Sequence, residues 1–261
     1  MSDARPPHRL DLPLGFDADP VARRIGLVVL ATDHTTEPDF ARMVAGPRLG
    51  VYVARIAYAN PTTPENLAAM QPDLARGAAL LLPDERLDAI CYSCTSASVV
   101  IGDDAVAAAI GDGKPGVPVV TPTRAAVEAL RGLGARRISI LTPYTVETSA
   151  SVGPHFEAQG FSVDALSCLG LDDDRRMARL DATTLVEAAR AALAPGSEAL
   201  FVSCTALRSA AIAGAIETEL GVPVVTSNLA TAWACARLVG ESPRVDARLA
   251  ALPLPDPAAF A

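Results

Sequence analysis

The residues best suited to chemistry in this chain are two cysteines in a repeated setting. Leu87-Asp88-Ala89-Ile90-Cys91-Tyr92-Ser93-Cys94-Thr95-Ser96 returns as Ser197-Glu198-Ala199-Leu200-Phe201-Val202-Ser203-Cys204-Thr205-Ala206. Each copy runs from an acidic residue through an apolar stretch of strand length to Ser-Cys-Thr, which delivers a thiol at the C-terminal end of a buried strand. A thiolate on one side of a substrate carbon can remove a proton while a thiol on the other side returns one. A thiolate is also a competent covalent nucleophile. A lone buried cysteine is most often inert core material. Two cysteines in matching repeats, each flanked by hydroxyl residues, are better read as one shared site made of Cys94 and Cys204.

Cys91 and Cys94 also form a Cys-x-x-Cys pair. A redox dithiol needs a helix N-terminus, whereas residues three apart on a strand point to opposite faces. A structural zinc needs a second close pair, yet Cys168, Cys204 and Cys235 stand alone and the three histidines are scattered. No metal site is expected, and Cys168, Cys235 and Trp233 are assigned to the core. Around the thiols, Thr95 and Ser96 open the helix after Cys94, where hydroxyls, amides and the helix dipole favour a carboxylate. Thr205 stands beside Cys204 in the same way. Tyr144, after the first strand of the second half, can donate its phenol to the same carboxylate. Asp33 and His34 occupy the equivalent polar loop of the first half, which should open onto the cleft.

The elements that must hold these residues alternate. Arg24–Ala31 reads as a strand ending in the loop Thr32–Thr36, with a helix from about Pro38. Val51–Tyr58 is a second strand, and helical spacing covers Pro64 to Leu82. The strand into Cys94 is followed by a helix from Ser96 to Ile110, a short strand at 116–121 and a helix from Arg124 to Leu133 closed by Gly134. The second half repeats the order, with Arg137–Tyr144, Phe161–Ser167, Glu198–Ser203 and 221–226 as its strands. Gly-Val-Pro-Val-Val-Thr occurs at both 116–121 and 221–226. Apolar strands alternating with helices predict an α/β fold of two Rossmann-like halves related by a pseudo-two-fold, each with a parallel sheet covered on both faces. Residues 1–20 read as a loosely held arm. Half one is 21–135, completed by 226–261, and half two is 136–225. Ligands of such sheets sit beyond the C-terminal strand ends, so the site belongs in the cleft between the halves.

Composition bounds the partners. The 261 residues are half hydrophobic and carry a net charge of −8, which argues against nucleic acid because phosphate binding needs a cationic face. The five cysteines are odd in number and lie in apolar runs, so a disulfide framework is not expected and a reducing cytoplasm is. No apolar stretch reaches membrane-span length, and the start lacks a signal-peptide core. The expected partner is a small carboxylic acid, and a homo-oligomer is compatible with this composition.

The chain resembles the maleate isomerase and arylmalonate decarboxylase branch of the aspartate/glutamate racemase superfamily, from about Arg24 to Gly240. The likeness rests on Thr32-Asp33-His34-Thr35-Thr36-Glu37-Pro38, Cys94-Thr95-Ser96, Thr142-Pro143-Tyr144, Leu169-Gly170-Leu171-Asp172, Ser203-Cys204, and Ser227-Asn228 ahead of Trp233. It implies a cofactor-free enzyme with its site between two similar halves. In that superfamily racemases use both cysteines as acid and base, maleate isomerases use the first as covalent nucleophile, and the decarboxylases keep only the second as proton donor. Having both Cys94 and Cys204 favours the first two chemistries. Thr95, Ser96 and Tyr144 match carboxylate-binding positions. Where maleate isomerases have asparagines, this chain has His34 in the first loop and Asp174 after the Leu-Gly segment. A carboxylate at 174 repels a second substrate carboxylate and can hold a substrate ammonium. The loop from Asp33 to Pro38 also resembles a subgroup associated with ectoine and hydroxyectoine utilisation, whose breakdown passes through aspartate-like amino acids.

The resulting expectation is an isomerase or racemase acting next to the carboxylate of a small polar diacid, with or without an amino group, or its acylated derivative. The alternatives are cis-trans isomerisation through a cysteine adduct, decarboxylation through Cys204 alone, and pure carboxylate capture without catalysis.

Overall fold

The computed structural model describes residues 7–253 and 257–260. Its first half runs β1 (Arg23–Leu30), α1 (Thr36–Met43), β2 (Leu49–Ile56), α2 (Pro64–Ala68), α3 (Leu74–Ala79), β3 (Ala89–Ser93), α4 (Thr95–Ile101), α5 (Asp103–Gly113), β4 (Val119–Val120) and α6 (Pro122–Gly132). The second runs β5 (Arg137–Tyr144), α7 (Val146–Ser149), α8 (Val152–Ala158), β6 (Ser162–Leu171), α9 (Asp174–Met177), α10 (Ala182–Ala192), β7 (Ala199–Val202), α11 (Ala213–Leu220) and β8 (Val224–Thr226), after which α12 (Ser227–Leu238) returns to pack on α6 and β3 of the first half.

All the strand pairs are parallel, in two four-stranded sheets of matching order, β2-β1-β3-β4 and β6-β5-β7-β8. Helices cover both sheets, so this is the α/β architecture that the repeats predict. Successive strand residues face opposite ways. On β1, Ile25, Leu27 and Val29 enter one core while Val28 and Leu30 enter another. On β5, Ile138 and Ile140 join the same core as Ile25, while Leu141 and Tyr144 face outward under α10. That shared core lies between the sheets and takes Phe40 from α1, Ala126 from α6, Phe156 from α8 and Trp233 from α12. Cys235 and Cys91 pack in it, and Trp233 is core as expected.

Several elements differ from the periodicity. The helix expected over 64–82 is broken: α2 stops at Ala68, and a single 3-10 turn containing Pro72 separates it from α3. Proline lacks the amide that a continuous helix would need there. The helix expected over 96–110 is divided at Gly102, whose φ of +92° is open to glycine but strained for other residues. β6 continues to Leu171 through two register shifts, and Cys168 on it is half-buried rather than core. Residues 7–20 of the expected arm are exposed throughout, and Asp19 ties their base to Arg24. Residues 1–6 of that arm lie outside the described residues. Among the described residues no helix is long and apolar enough to cross a membrane.

Candidate active site

β3 and β7 are the equivalent third strands of the two sheets, and each hands a cysteine to the cleft. The strand alternation that sends Cys91 into the shared core sends Tyr92 and Cys94 to the opposite face, which removes Cys91 from the site. Cys94 is the N-cap of α4 in an extended conformation, φ −152° and ψ 109°. Its carbonyl accepts the Ser98 amide at 3.0 Å and the Ser98 hydroxyl at 2.8 Å, and its Sγ lies 3.7 Å from Ser96 Oγ. Cys204 follows β7 differently. No helix starts there, and its φ is +97°, a left-handed conformation that L-residues adopt only under constraint.

Both thiols are buried, at 5% and 6% exposure. Burial pushes the Cys94 thiol up to about 11, against the Ala97 amide and the Ser96 hydroxyl, which favour the thiolate. Burial pushes Cys204 up to about 12, with Tyr144 and the amides of Ala206 and Leu207 acting against it. Burial thus favours the protonated form of both thiols. Burial likewise holds Tyr144 well above the ordinary phenol range.

Cys94 and Cys204 line one cavity together with Asp33, Tyr58, Thr62, Thr95, Ser96, Tyr144, Asp174, Met177 and Thr205. Its free volume is about 20 Å³, room for a single water. The structure thus brings together all but one of the residues singled out from the sequence. His34 is exposed and does not line the cavity. The turn at the start of α1 faces Asp33 inward instead. There Asp33 Oδ1 accepts the amides of Thr35 and Thr36 at 2.9 and 2.8 Å, and Oδ2 accepts the Thr36 hydroxyl at 2.8 Å. Burial raises the Asp33 pKa despite these donors.

Asp174 is 6% exposed. Its Oδ1 accepts Asn60 Nδ2 at 2.8 Å and its Oδ2 accepts the Thr32 hydroxyl, both from the first half. Neither donor is a cation. Among the described residues the cavity lining holds two carboxylates and no Lys, Arg or His. Thr95 donates its proton to Ser227 Oγ at 2.8 Å, and Thr205 donates its own to the Ser93 carbonyl at 3.1 Å. Both therefore meet a ligand as acceptors rather than as carboxylate donors. Ser96, Tyr144 and the hydroxyl pair Tyr58–Thr62, whose oxygens are 2.7 Å apart, remain as donors.

Tyr58, Thr62, Asn60 and Met177 were not found from the sequence. The turn after β2 carries Asn60 and Thr62, and only its docking on the second half brings them to the site. The Thr62 amide donates to the Asp172 carbonyl at 2.6 Å, and the Thr148 hydroxyl donates to the Thr62 carbonyl at 2.8 Å. The sequence reading ends the second strand at Tyr58 and gives the turn that follows it no role in the site. A wider groove of about 530 Å³ lies beside Asp103 and His155, but it contains no cysteine. Among the described residues no group of three or more His, Cys, Asp or Glu side chains is placed to hold a metal ion.

Known proteins resemble this chain in sequence and fold. The arylmalonate decarboxylase family model matches residues 65–250. A maleate isomerase of Nocardia farcinica is 29% identical over 226 residues, 82% of this chain and 89% of that protein. An arylmalonate decarboxylase of Bordetella bronchiseptica is 32% identical over 127 residues, 48% of this chain and 53% of that protein. Among solved structures, a cysteine-to-serine mutant of Nocardia farcinica maleate cis-trans isomerase with a covalently bound succinylcysteine intermediate superposes with a TM-score of 0.78 at 27% identity, covering 87% of this chain and 98% of that one. A liganded double mutant of arylmalonate decarboxylase superposes with a TM-score of 0.79 at 28% identity, with the same coverage. Fold, cleft and relatives together define a two-lobed α/β enzyme of the isomerase class. The chain belongs to the arylmalonate decarboxylase family.

Proposed function

We propose that the enzyme moves a proton at the carbon next to the carboxylate of a small amino-bearing acid, with Cys94 as base and Cys204 as the opposing acid. The observation that carries this reading is one cavity with a thiol from each half, two carboxylates and no cation in its lining among the described residues. A substrate with two carboxylates and no positive group would meet Asp33 and Asp174 unbalanced, whereas an ammonium set on Asp174 compensates them. The charges of Asp174 and Asp33 also help to hold Cys94 protonated. An ammonium on Asp174 weakens that field and lowers the cost of ionising Cys94, which gives up its proton before the chemical step.

The thiolate then takes the proton from the substrate carbon. The C–H electron pair moves into the carboxylate to give an enediolate, which the Ser96 and Tyr144 hydroxyls stabilise. Cys204 gives its proton to the opposite face, leaving Cys94 as thiol and Cys204 as thiolate, and proton exchange with solvent resets the pair. The resemblance of the loop from Asp33 to Pro38 supports a substrate among the aspartate-like amino acids of ectoine and hydroxyectoine breakdown.

Deuterium incorporation from heavy water into candidate amino acids tests this reading. Cys94→Ala and Cys204→Ala should each lower turnover by about 10²–10⁴-fold. Full activity in either variant rules out the two-thiol mechanism. A second reading, cis-trans isomerisation through a Cys94 adduct, is favoured by the succinylcysteine intermediate of the relative. It predicts a mass shift on Cys94 when Cys204→Ala is incubated with maleate.

A further inference from the structure

We infer that Ser227 is the positioning residue that holds the two thiols in register. The inference rests on the two-thiol reading. Ser227 is fully buried at the first turn of α12, directly after β8. Its Oγ accepts the Cys204 amide at 3.0 Å and the Thr95 hydroxyl at 2.8 Å. Both lone pairs of one oxygen are thereby used, one toward each half of the site.

The Cys204 side of this tie constrains a backbone. A left-handed cysteine persists only where its surroundings over-determine it, and the buried Cys204 amide has Ser227 as its acceptor. Without that oxygen the buried amide loses its acceptor, and rotation to a negative φ relieves the backbone strain. The rotation swings the Cβ–Sγ bond of Cys204 off its line to the substrate carbon. The Cys94 side constrains a helix start: Thr95 is the residue after Cys94 and the first of α4, and its hydroxyl is anchored to the same oxygen. The neighbouring bonds reinforce this geometry but do not duplicate it. Asn228 Nδ2 donates to the Thr205 carbonyl at 2.9 Å, and the Thr35 hydroxyl donates to the Ala206 carbonyl at 2.7 Å. Both grip the turn beyond Cys204 and leave its amide untouched.

The test uses two readouts on the whole enzyme. The first is solvent deuterium exchange into the substrate. The second, made without substrate, is the iodoacetamide reaction rate of Cys94 and Cys204, resolved by peptide mass. Ser227→Ala should lower kcat by about 10²-fold with KM within about threefold, the pattern of misplaced reacting groups rather than lost binding. It should raise the alkylation rates of both cysteines about tenfold as they leave their packed positions. Ser227→Thr, which keeps the hydroxyl, should restore the parent values to within a few fold. Parent-like alkylation of either cysteine in Ser227→Ala overturns the inference, as does a change confined to KM. Should Ser227→Ala fail to fold, Thr95→Val decides: Cys94 alone should change its alkylation rate, and an unchanged Cys94 overturns the inference. If the parent exchanges no amino acid, the two-thiol reading falls while the alkylation arms still decide the role of Ser227.

Discussion

At the scale of single residues, the site is governed by where charge and protons are left unbalanced. Asp174 is a buried carboxylate whose two donors are neutral groups from the other half, and it lies close enough to Cys94 to help hold that thiol protonated. Asp174→Asn keeps an acceptor for Asn60 and removes the charge. One cause of the raised Cys94 pKa then disappears, so the pH midpoint of Cys94 alkylation should fall below that of the parent. Turnover of an amino-bearing substrate should fall by about 10²-fold in kcat/KM, the loss expected when a charged partner is removed from a buried pair. An unchanged alkylation midpoint would disconnect Asp174 from the thiol. Thr95 and Thr205 show how far residue type alone can be read. Both were expected to donate to a carboxylate, and both lie on the cavity, but the destination of a hydroxyl proton depends on neighbours distant in sequence, Ser227 for one and Ser93 for the other.

At the scale of elements, the repeated strand and Ser-Cys-Thr are what could be read directly. Strand alternation separates Cys91 from Cys94, and the duplicated strand order brings Cys204 to the cavity that Cys94 lines. The helix breaks at Pro72 and Gly102 were signalled by residue types that periodicity does not weigh. The docking of the turn at Asn60–Thr62 on the second half had no local signal at all, because it is a contact between halves. Likewise α1 begins not where Pro38 suggests but at Thr36, with Asp33 accepting two of its first amides. Asp33→Ala should therefore cost about 1–2 kcal/mol in chemical denaturation, and Asp33→Asn, which keeps an acceptor, much less. The raised pKa of Asp33 adds a sign. The folded state favours its protonated form, so this contribution to stability is complete below the ordinary carboxylate value and is lost as pH rises through the folded one. Asp33→Asn should flatten that part of the stability–pH curve, and an identical curve would show that the charge of Asp33 is not felt.

At the scale of the whole molecule, the two halves share one apolar core and are joined across the cleft by Thr62, Asn60, Thr148 and Asp174, so they cannot part freely. The cavity they enclose admits one water. Burial therefore shields the thiols from bulk solvent, and on the two-thiol proposal that shielding sets the fate of isotopes. A label lifted from the substrate by Cys94 stays on sulfur while the site is closed, and reversal of that step puts the same label back on the same carbon. With substrate deuterated at the reacting carbon, material recovered unreacted at partial conversion should retain its deuterium, while product of the opposite hand carries hydrogen from Cys204. Loss of label from recovered substrate as fast as product forms would mean that the closed cavity does not persist through the chemical step. On that proposal the buried cleft acts as isotopic memory: it keeps account of which face each proton came from.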